Sequence, residues 1–371
     1  MIHFVVPRDT AFGIEDYLAL WGTGLVGRME VLPYEDLPNR TSLPAGAYIL
    51  SALDQLEPEG LRLVGEAYEQ LTGAGQGVRV LNHPVKTLRR YDLLEELYRA
   101  GLNRHRAVRA GAEFSTLRYP VFLREEHRHT STLTGLLHTP AEVEAELGRA
   151  LVRGLRVEDL LVMEFFETVD SDGFYRKYAA FVVGGEVIPR SLNHGRSWAL
   201  KHSGTDFTRE MLDEERRYVL ANPHESQLQR IFAAGGVEYG RIDYSVRDGV
   251  VETWEINLNP TIGRGRYSTG KIPEAMQPFR EEARNRFKTR FQAALEAVDP
   301  PGGSNAAIPI RYRPETLHAL ARMARERHPS RRFEGVKALL RPLRPILDPI
   351  LRVMSPLLSK VAQRKHEPRN P

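Results

Sequence analysis

Late in the chain, two apolar runs flank a short turn. They read Gly240-Arg241-Ile242-Asp243-Tyr244-Ser245-Val246, then Arg247-Asp248-Gly249, then Val250-Val251-Glu252-Thr253-Trp254-Glu255-Ile256-Asn257-Leu258-Asn259-Pro260. The pattern predicts a β-hairpin. Strand side chains repeat with period two, so Arg241 and Asp243 share a face, as do Glu255 and Asn257. If the strands pair in register about Asp248-Gly249, those two faces can be one. Two carboxylates and an amide then form an all-oxygen cluster, which suits a hard cation such as Mg²⁺ and does not suit zinc. The same polarity also fits an exposed hairpin whose polar face is merely wet. Against that reading, Ile242, Trp254 and Ile256 make the strands worth burying, and Asn257 leads into a tight Asn-Pro-Thr-Ile-Gly loop.

A chain of 371 residues is long enough for two or three packed lobes. Cysteine is absent, which excludes a disulfide framework, a thiolate nucleophile and a cysteine-ligated metal, and is compatible with a reducing cytosol. The opening run Met1 to Pro7 is too short for a signal peptide, and no 18-residue apolar stretch occurs. A cytoplasmic protein is expected. From Arg311 onward, 15 Lys and Arg face 5 Asp and Glu, about +10, so the formal +4 of the whole chain leaves about −6 before that point. The basic character belongs to the tail.

Strands are expected at 2–6, 47–51 and 78–82, with helices over 13–25, broken by Gly22 and Gly24, and over 59–71. This alternation implies a small α/β lobe over 1–85. No Gly-x-Gly-x-x-Gly follows a strand, so dinucleotide binding is not supported. A helix over 86–100 is closed by Gly101. Strands follow at 119–124 and 160–166, separated by a helix over 140–154 with Thr139 as N-cap and Pro140 at its first position. A hairpin over 175–190 turns at Gly184-Gly185, one helix spans 214–234, and another closes the unit at 278–297. The donor-rich run 190–202 suits an anionic substrate if it lines a cleft, with Arg190 favoured; otherwise it is a basic surface loop.

Arg-Ile-Asp followed about a dozen residues later by Glu-Ile-Asn-x-x-Pro resembles the metal-binding signature of the ATP-grasp superfamily of carboxylate–amine ligases, as in D-alanine:D-alanine ligase and the ribosomal-protein glutamate ligase. The resemblance spans about residues 78–265. It implies an α/β ATP-grasp fold, with a pre-ATP-grasp lobe at 1–85 and two lobes clamping ATP at 86–300, a nucleotide flap lobe about 115–165 and a metal lobe about 166–300. It further implies that Asp243, Glu255 and Asn257 hold Mg²⁺ or Mn²⁺ on ATP, and that Arg241 stabilises the reacting group. Arg90 and Arg124 stand where the family has phosphate-binding lysines, a fork of donors replacing a point charge. Backbone groups of Phe165 and Phe166 would meet the adenine edge, with Glu164 close by, although 160–166 also reads as a core strand with aromatic caps. The family's Asp-x-Arg pair is not kept, and Lys177 or Arg176 substitutes. Arg264 and Arg266 occupy the acceptor-substrate position. Flap residues 127–135 have hydroxyls and one glycine where the family is richer in glycine or serine.

Residues 301–371 form a basic helical extension, with apolar residues at helical spacing, Lys and Arg between them, and Pro342, Pro345, Pro349 and Pro356 interrupting any rod. It suits an anionic membrane surface, a protein partner, or packing back on the lobes. Nucleic acid fits poorly, because aromatic interleaving is nearly absent. The chain therefore reads as a ligase joining a carboxylate to an amine through an acyl phosphate. The alternatives are a phosphotransferase on the same metal site, or a nucleotide-binding scaffold without turnover.

Overall fold

The structure is a computed structural model that describes residues 1–75, 77–127, 132–200, 207–263, 274–299 and 306–326. Met1–Tyr312 form one compact unit and Arg313–Pro371 a second. Of the second, the helix Pro314–Glu326 is described; the apolar and basic tail residues beyond it lie outside the described residues. Among the described residues no helix is long and apolar enough to cross a membrane.

The fold is α/β, as expected. Its first layer is built from β1 (Ile2–Val6), α1 (Phe12–Leu20), β2 (Met29–Pro33), β3 (Ser42–Pro44), β4 (Ala47–Leu50), α2 (Pro58–Gly73) and β5 (Arg79–Leu81). Strands pair in parallel in the order β2-β1-β4-β5. A parallel sheet covered on both faces needs apolar residues at every position, and all five residues of β1 are buried. Just past β5, buried Asn82 adopts a left-handed conformation (φ 67°). Its Nδ2 donates to the carbonyls of Leu50 and Tyr239, and its Oδ1 accepts from the amides of Glu238 and Tyr239. One side chain thereby ties the first sheet to the strand that carries Asp243.

The second layer holds α3 (Arg90–Arg99), β6 (Ala107–Arg109), β7 (Val121–Glu125), α4 (Pro140–Val152) and β8 (Leu160–Glu164), with antiparallel order β6-β8-β7. Thr139 caps α4 by accepting from the amide of Glu142, with Pro140 at the first helical position. Period two sorts β7: Val121 and Leu123 pack against α4, whereas Phe122 and Arg124 face the other way.

The third layer comprises β9 (Tyr175–Val183), β10 (Glu186–Gly195), α5 (Arg209–Ala221), α6 (Glu225–Ala234), β11 (Tyr239–Arg247) and β12 (Val250–Asn257), in antiparallel order β10-β9-β11-β12. The single helix expected over 214–234 is in fact α5 and α6. Pro223 has no N–H to continue the first, and Asn222 ends it in a left-handed turn (φ 48°) with its Nδ2 donating to Val187 O. After the sheet come α7 (Gln277–Val298), β13 (Ala307–Pro309), which pairs with β3, and α8 (Pro314–Glu326).

One face of the third sheet changes character along its length. Val183, Phe181 and Tyr239 join the main core with Phe4, Phe287 and Phe291. Two and four residues on, the same face presents Ala179, Lys177, Arg241 and Asp243. The core holds one end of the strands rigid while the other end faces open space.

Candidate active site

The hairpin turns at Asp248 (φ 55°) and Gly249 (φ 75°), both left-handed, the two-residue turn whose twist matches antiparallel strands. The turn sets the register as far as Tyr244 opposite Thr253; there a bulge shifts it by one, so that Asp243 pairs with Glu255 and Arg241 with Asn257. Cross-strand partners point to one side of a sheet, so the four polar groups share a face. They line a cleft of about 630 Å³ whose opposite wall carries Phe122 and Arg124 of β7.

Both carboxylates are held by cations. Asp243 Oδ2 lies 2.7 Å from Lys177 Nζ, and its Oδ1 lies 2.9 Å from Arg241 Nε. Glu255 Oε2 accepts from Arg90 Nη2 at 2.6 Å and Arg124 Nη2 at 2.9 Å. Burial alone would raise the Asp243 carboxyl, but Arg241 and Lys177 outweigh it and keep the group below the usual carboxylate range. Arg241 is likewise disfavoured by burial, yet Asp243 and Glu255 hold it above the ordinary arginine value.

The donor set fits a divalent cation that arrives with a polyphosphate. Asp243, Glu255 and Asn257 offer oxygen donors, and among the described residues no group of three or more His, Cys, Asp or Glu forms a protein-only cage. Four cations surround the two carboxylates. That surplus repels a bare dication and attracts an anion. The buried Nε of Arg124 has no acceptor among the described residues, a donor suited to a phosphate oxygen.

The rest of the cleft is aromatic. Trp198 packs at 5.0 Å from Phe122 and 5.5 Å from Phe165 between ring centroids. Trp254 enters through a β-bulge: Asp243 pairs with Glu255 but Tyr244 pairs with Thr253, leaving Trp254 as the extra residue on β12. Its ring stacks on His105 at 4.6 Å and its Nε1 donates to Ser245 Oγ at 3.0 Å, which fixes it in the cleft wall.

Lys177, Arg124, Phe165 and the four hairpin residues stand in the wall of this cleft. Arg90 stands behind it, with Nη1 donating to the carbonyls of Glu125 and Glu126 and Nη2 reaching Glu255. Glu164 is turned away: its carboxylate accepts from the amide and guanidinium of Arg118 and from the amide of Arg106. Of the backbone groups expected at the adenine edge, the Phe165 N–H donates to Pro120 O at 2.9 Å, and the Phe165 side chain reaches the cleft. Phe166 packs under the Arg104 guanidinium, outside the wall. Arg190 lies in a neighbouring cavity, and Arg264 and Arg266 fall outside the described residues. Sequence reading missed Trp198 and the inward turn of Trp254; the Trp in an otherwise alternating strand was the available signal, and the bulge that aims it was not.

No protein-family model matches the chain, and no curated protein does. Among solved structures it is similar to D-alanine–D-alanine ligase from Bacillus anthracis complexed with ATP, at 12% identity over 79% of this chain and 98% of that one, with a TM-score of 0.41. It is also similar to ATP-grasp ligase PsnB complexed with precursor peptide PsnA2 and AMPPNP, at 15% identity over 80% and 96%, TM-score 0.43. A third is L-amino acid ligase from Bacillus licheniformis, at 12% over 77% and 74%, TM-score 0.38. All three are ligases, and PsnB is named for the family that the hairpin motif resembles. Likeness at this level carries no chemistry across.

Proposed function

We propose that this chain is an ATP- and Mg²⁺-dependent ligase of the ATP-grasp kind, joining a carboxylate to an amine. The observation that supports it most is the meeting of Arg241, Asp243, Glu255 and Asn257 at the floor of one cleft, with Arg124 across from them. Asp243, Glu255 and Asn257 would hold Mg²⁺, which when bound supplies charge neutralisation on the phosphates. Phe165, Trp198 and Trp254 would take the adenine ring, and Arg124 and Lys177 the phosphate oxygens. The substrate carboxylate attacks the terminal phosphorus of ATP, ADP leaves, and an acyl phosphate forms. The amine then attacks the acyl carbon, phosphate leaves, and the nitrogen loses a proton to give the amide. Arg241, whose charged form Asp243 and Glu255 favour, would hold the acyl-phosphate oxygens.

The test is ADP release from the full chain with panels of carboxylates and amines. A ligase needs both partners. ADP formed with an alcohol acceptor alone identifies a phosphotransferase, and Mg·ATP binding without ADP across the panel identifies a scaffold. Asp243→Ala and Glu255→Ala should each lower ADP release by at least about 100-fold while the far-UV circular dichroism is kept, the scale on which preorganised charge acts in such sites. Unaltered turnover in either variant removes the assignment.

A further inference from the structure

A second cavity of about 390 Å³ adjoins the cleft and shares Lys177, Arg241, Asp243 and Thr261 with it. Three more guanidiniums line it: Arg190 of β10, and Arg280 and Arg284, one turn apart on α7. Among the described lining residues there are five cations and two carboxylates. Both carboxylates are engaged, Glu215 by Arg280 Nη2 at 2.7 Å and Asp243 by Arg241 and Lys177.

Arg190 has no carboxylate within ion-pair distance among the described residues. Its Nε donates to Ile262 O at 3.2 Å, and its guanidinium lies 5.2 Å from the Trp21 centroid and 4.7 Å from that of Phe287. The rings fix the cation without neutralising it. Burial, and then Arg280 beside it, depress its pKa from the ordinary arginine value. Assembling like charges at one half-buried wall works against folding, and an anion seated among them relieves it.

We propose that this pocket selects a small dianion, and the proposal rests on the ligase reading. One carboxylate of the substrate would lie at the Lys177–Arg241 edge that opens on the phosphate-transfer cleft. A second acidic group, carboxylate or phosphate monoester, would sit among Arg190, Arg280 and Arg284. The volume is within the usual range of small-ligand sites, about 300–1,000 Å³. The forked donors of arginine match either acidic group, and a monocarboxylate at the Lys177–Arg241 edge would leave Arg190 without an acidic partner.

Calorimetry on the full chain without nucleotide, using succinate, glutarate and phosphoglycolate against butyrate, tests this directly. A dianion should bind at least about tenfold tighter than butyrate, the scale of one charge-assisted hydrogen-bonded pair. Arg190→Met keeps an apolar stem against Trp21 and Phe287 while removing the charge; it and Arg284→Gln should each weaken dianion binding about fivefold or more, with Mg·ATP affinity unchanged. Phosphoglycolate ahead of glutarate supports the proposal with phosphate as the second group, and the reverse order supports it with carboxylate. Butyrate binding as well as every dianion, or wild-type dianion affinity in folded Arg190→Met, overturns it. If dianions bind but Mg·ATP does not, the ligase reading falls and the dianion pocket stands. If Mg·ATP turns over with monocarboxylates as readily as with dianions, the ligase reading stands and this inference falls.

Discussion

The two adjoining cavities share Lys177, Arg241 and Asp243 of the third sheet and are walled by opposite means. The larger is walled by Phe122, Phe165, Trp198 and Trp254, the smaller by Arg190, Arg280 and Arg284. Two consecutive residues of α5 serve one wall each. Glu214 holds Arg176 beside the aromatic cleft, at 2.7 Å, whereas Glu215 holds Arg280 beside the cationic pocket, also at 2.7 Å. A flat ring is recognised by stacking and burial, and an acid by fixed charge.

The largest effect expected from separating these two devices is on stability. Glu215 is buried, so Glu215→Ala leaves Arg280 facing Arg190 without a carboxylate, and urea unfolding should show a loss of about 3 kcal/mol, the cost of breaking a buried pair from one side. A loss below about 1 kcal/mol would mean that the cationic wall is wet and tolerant.

Next is the aromatic side. Trp198→Ala should weaken Mg·ATP about tenfold, in line with 1–3 kcal/mol (roughly) for a base stacked on an aromatic ring, and leave succinate binding unchanged. Equal losses for both ligands would show that the cavities act as one site.

A smaller effect is expected in acid. Burial would raise the Glu214 carboxyl, but its hydrogen bonds with His194 and Arg176 bring it down to about 2. A carboxyl with a depressed folded-state pKa contributes stability that is fully present above its ordinary value of 4.5 and is lost as pH falls toward 2. Glu214→Gln should therefore flatten the decline in stability between those limits. A wild-type acid profile in that variant would show that the Arg176 and His194 contacts do not outlast solvent exchange.

The smallest contrast is with salt. Raising ionic strength from about 0.05 to 0.5 M should weaken dianion binding severalfold more than it weakens a stacked adenosine without phosphates, since screening acts on charge and not on apolar burial. Parallel salt curves for the two would erase the distinction.

Much of this was legible from the chain. The Asp-Gly turn and the alternation about it are local, and period two puts Arg241 with Asp243 and Glu255 with Asn257; that the two pairs share one face depends on the bulge at Trp254, which the turn alone would not give. The strand at 2–6 and the cap at Thr139 were equally local. Glu164 could not be placed, because whether a strand-end carboxylate faces a cleft or an arginine depends on Arg118, 46 residues away. Arg280 and Arg284 lie on the closing helix expected at 278–297, where nothing local marks them as part of a site. Only the packing of α7 on α5 and β10 brings them beside Arg190.

The sequence by itself determined which side chains could act together along one strand, since backbone geometry repeats and local sterics fix it. Only the tertiary structure decided that a bulge aims Trp254 inward, that Arg90 supports Glu255 from behind the wall, and that three guanidiniums from two elements share one small cavity. Those outcomes depend on register and on packing between residues far apart in the chain, where many pairings are sterically open and the total burial selects one.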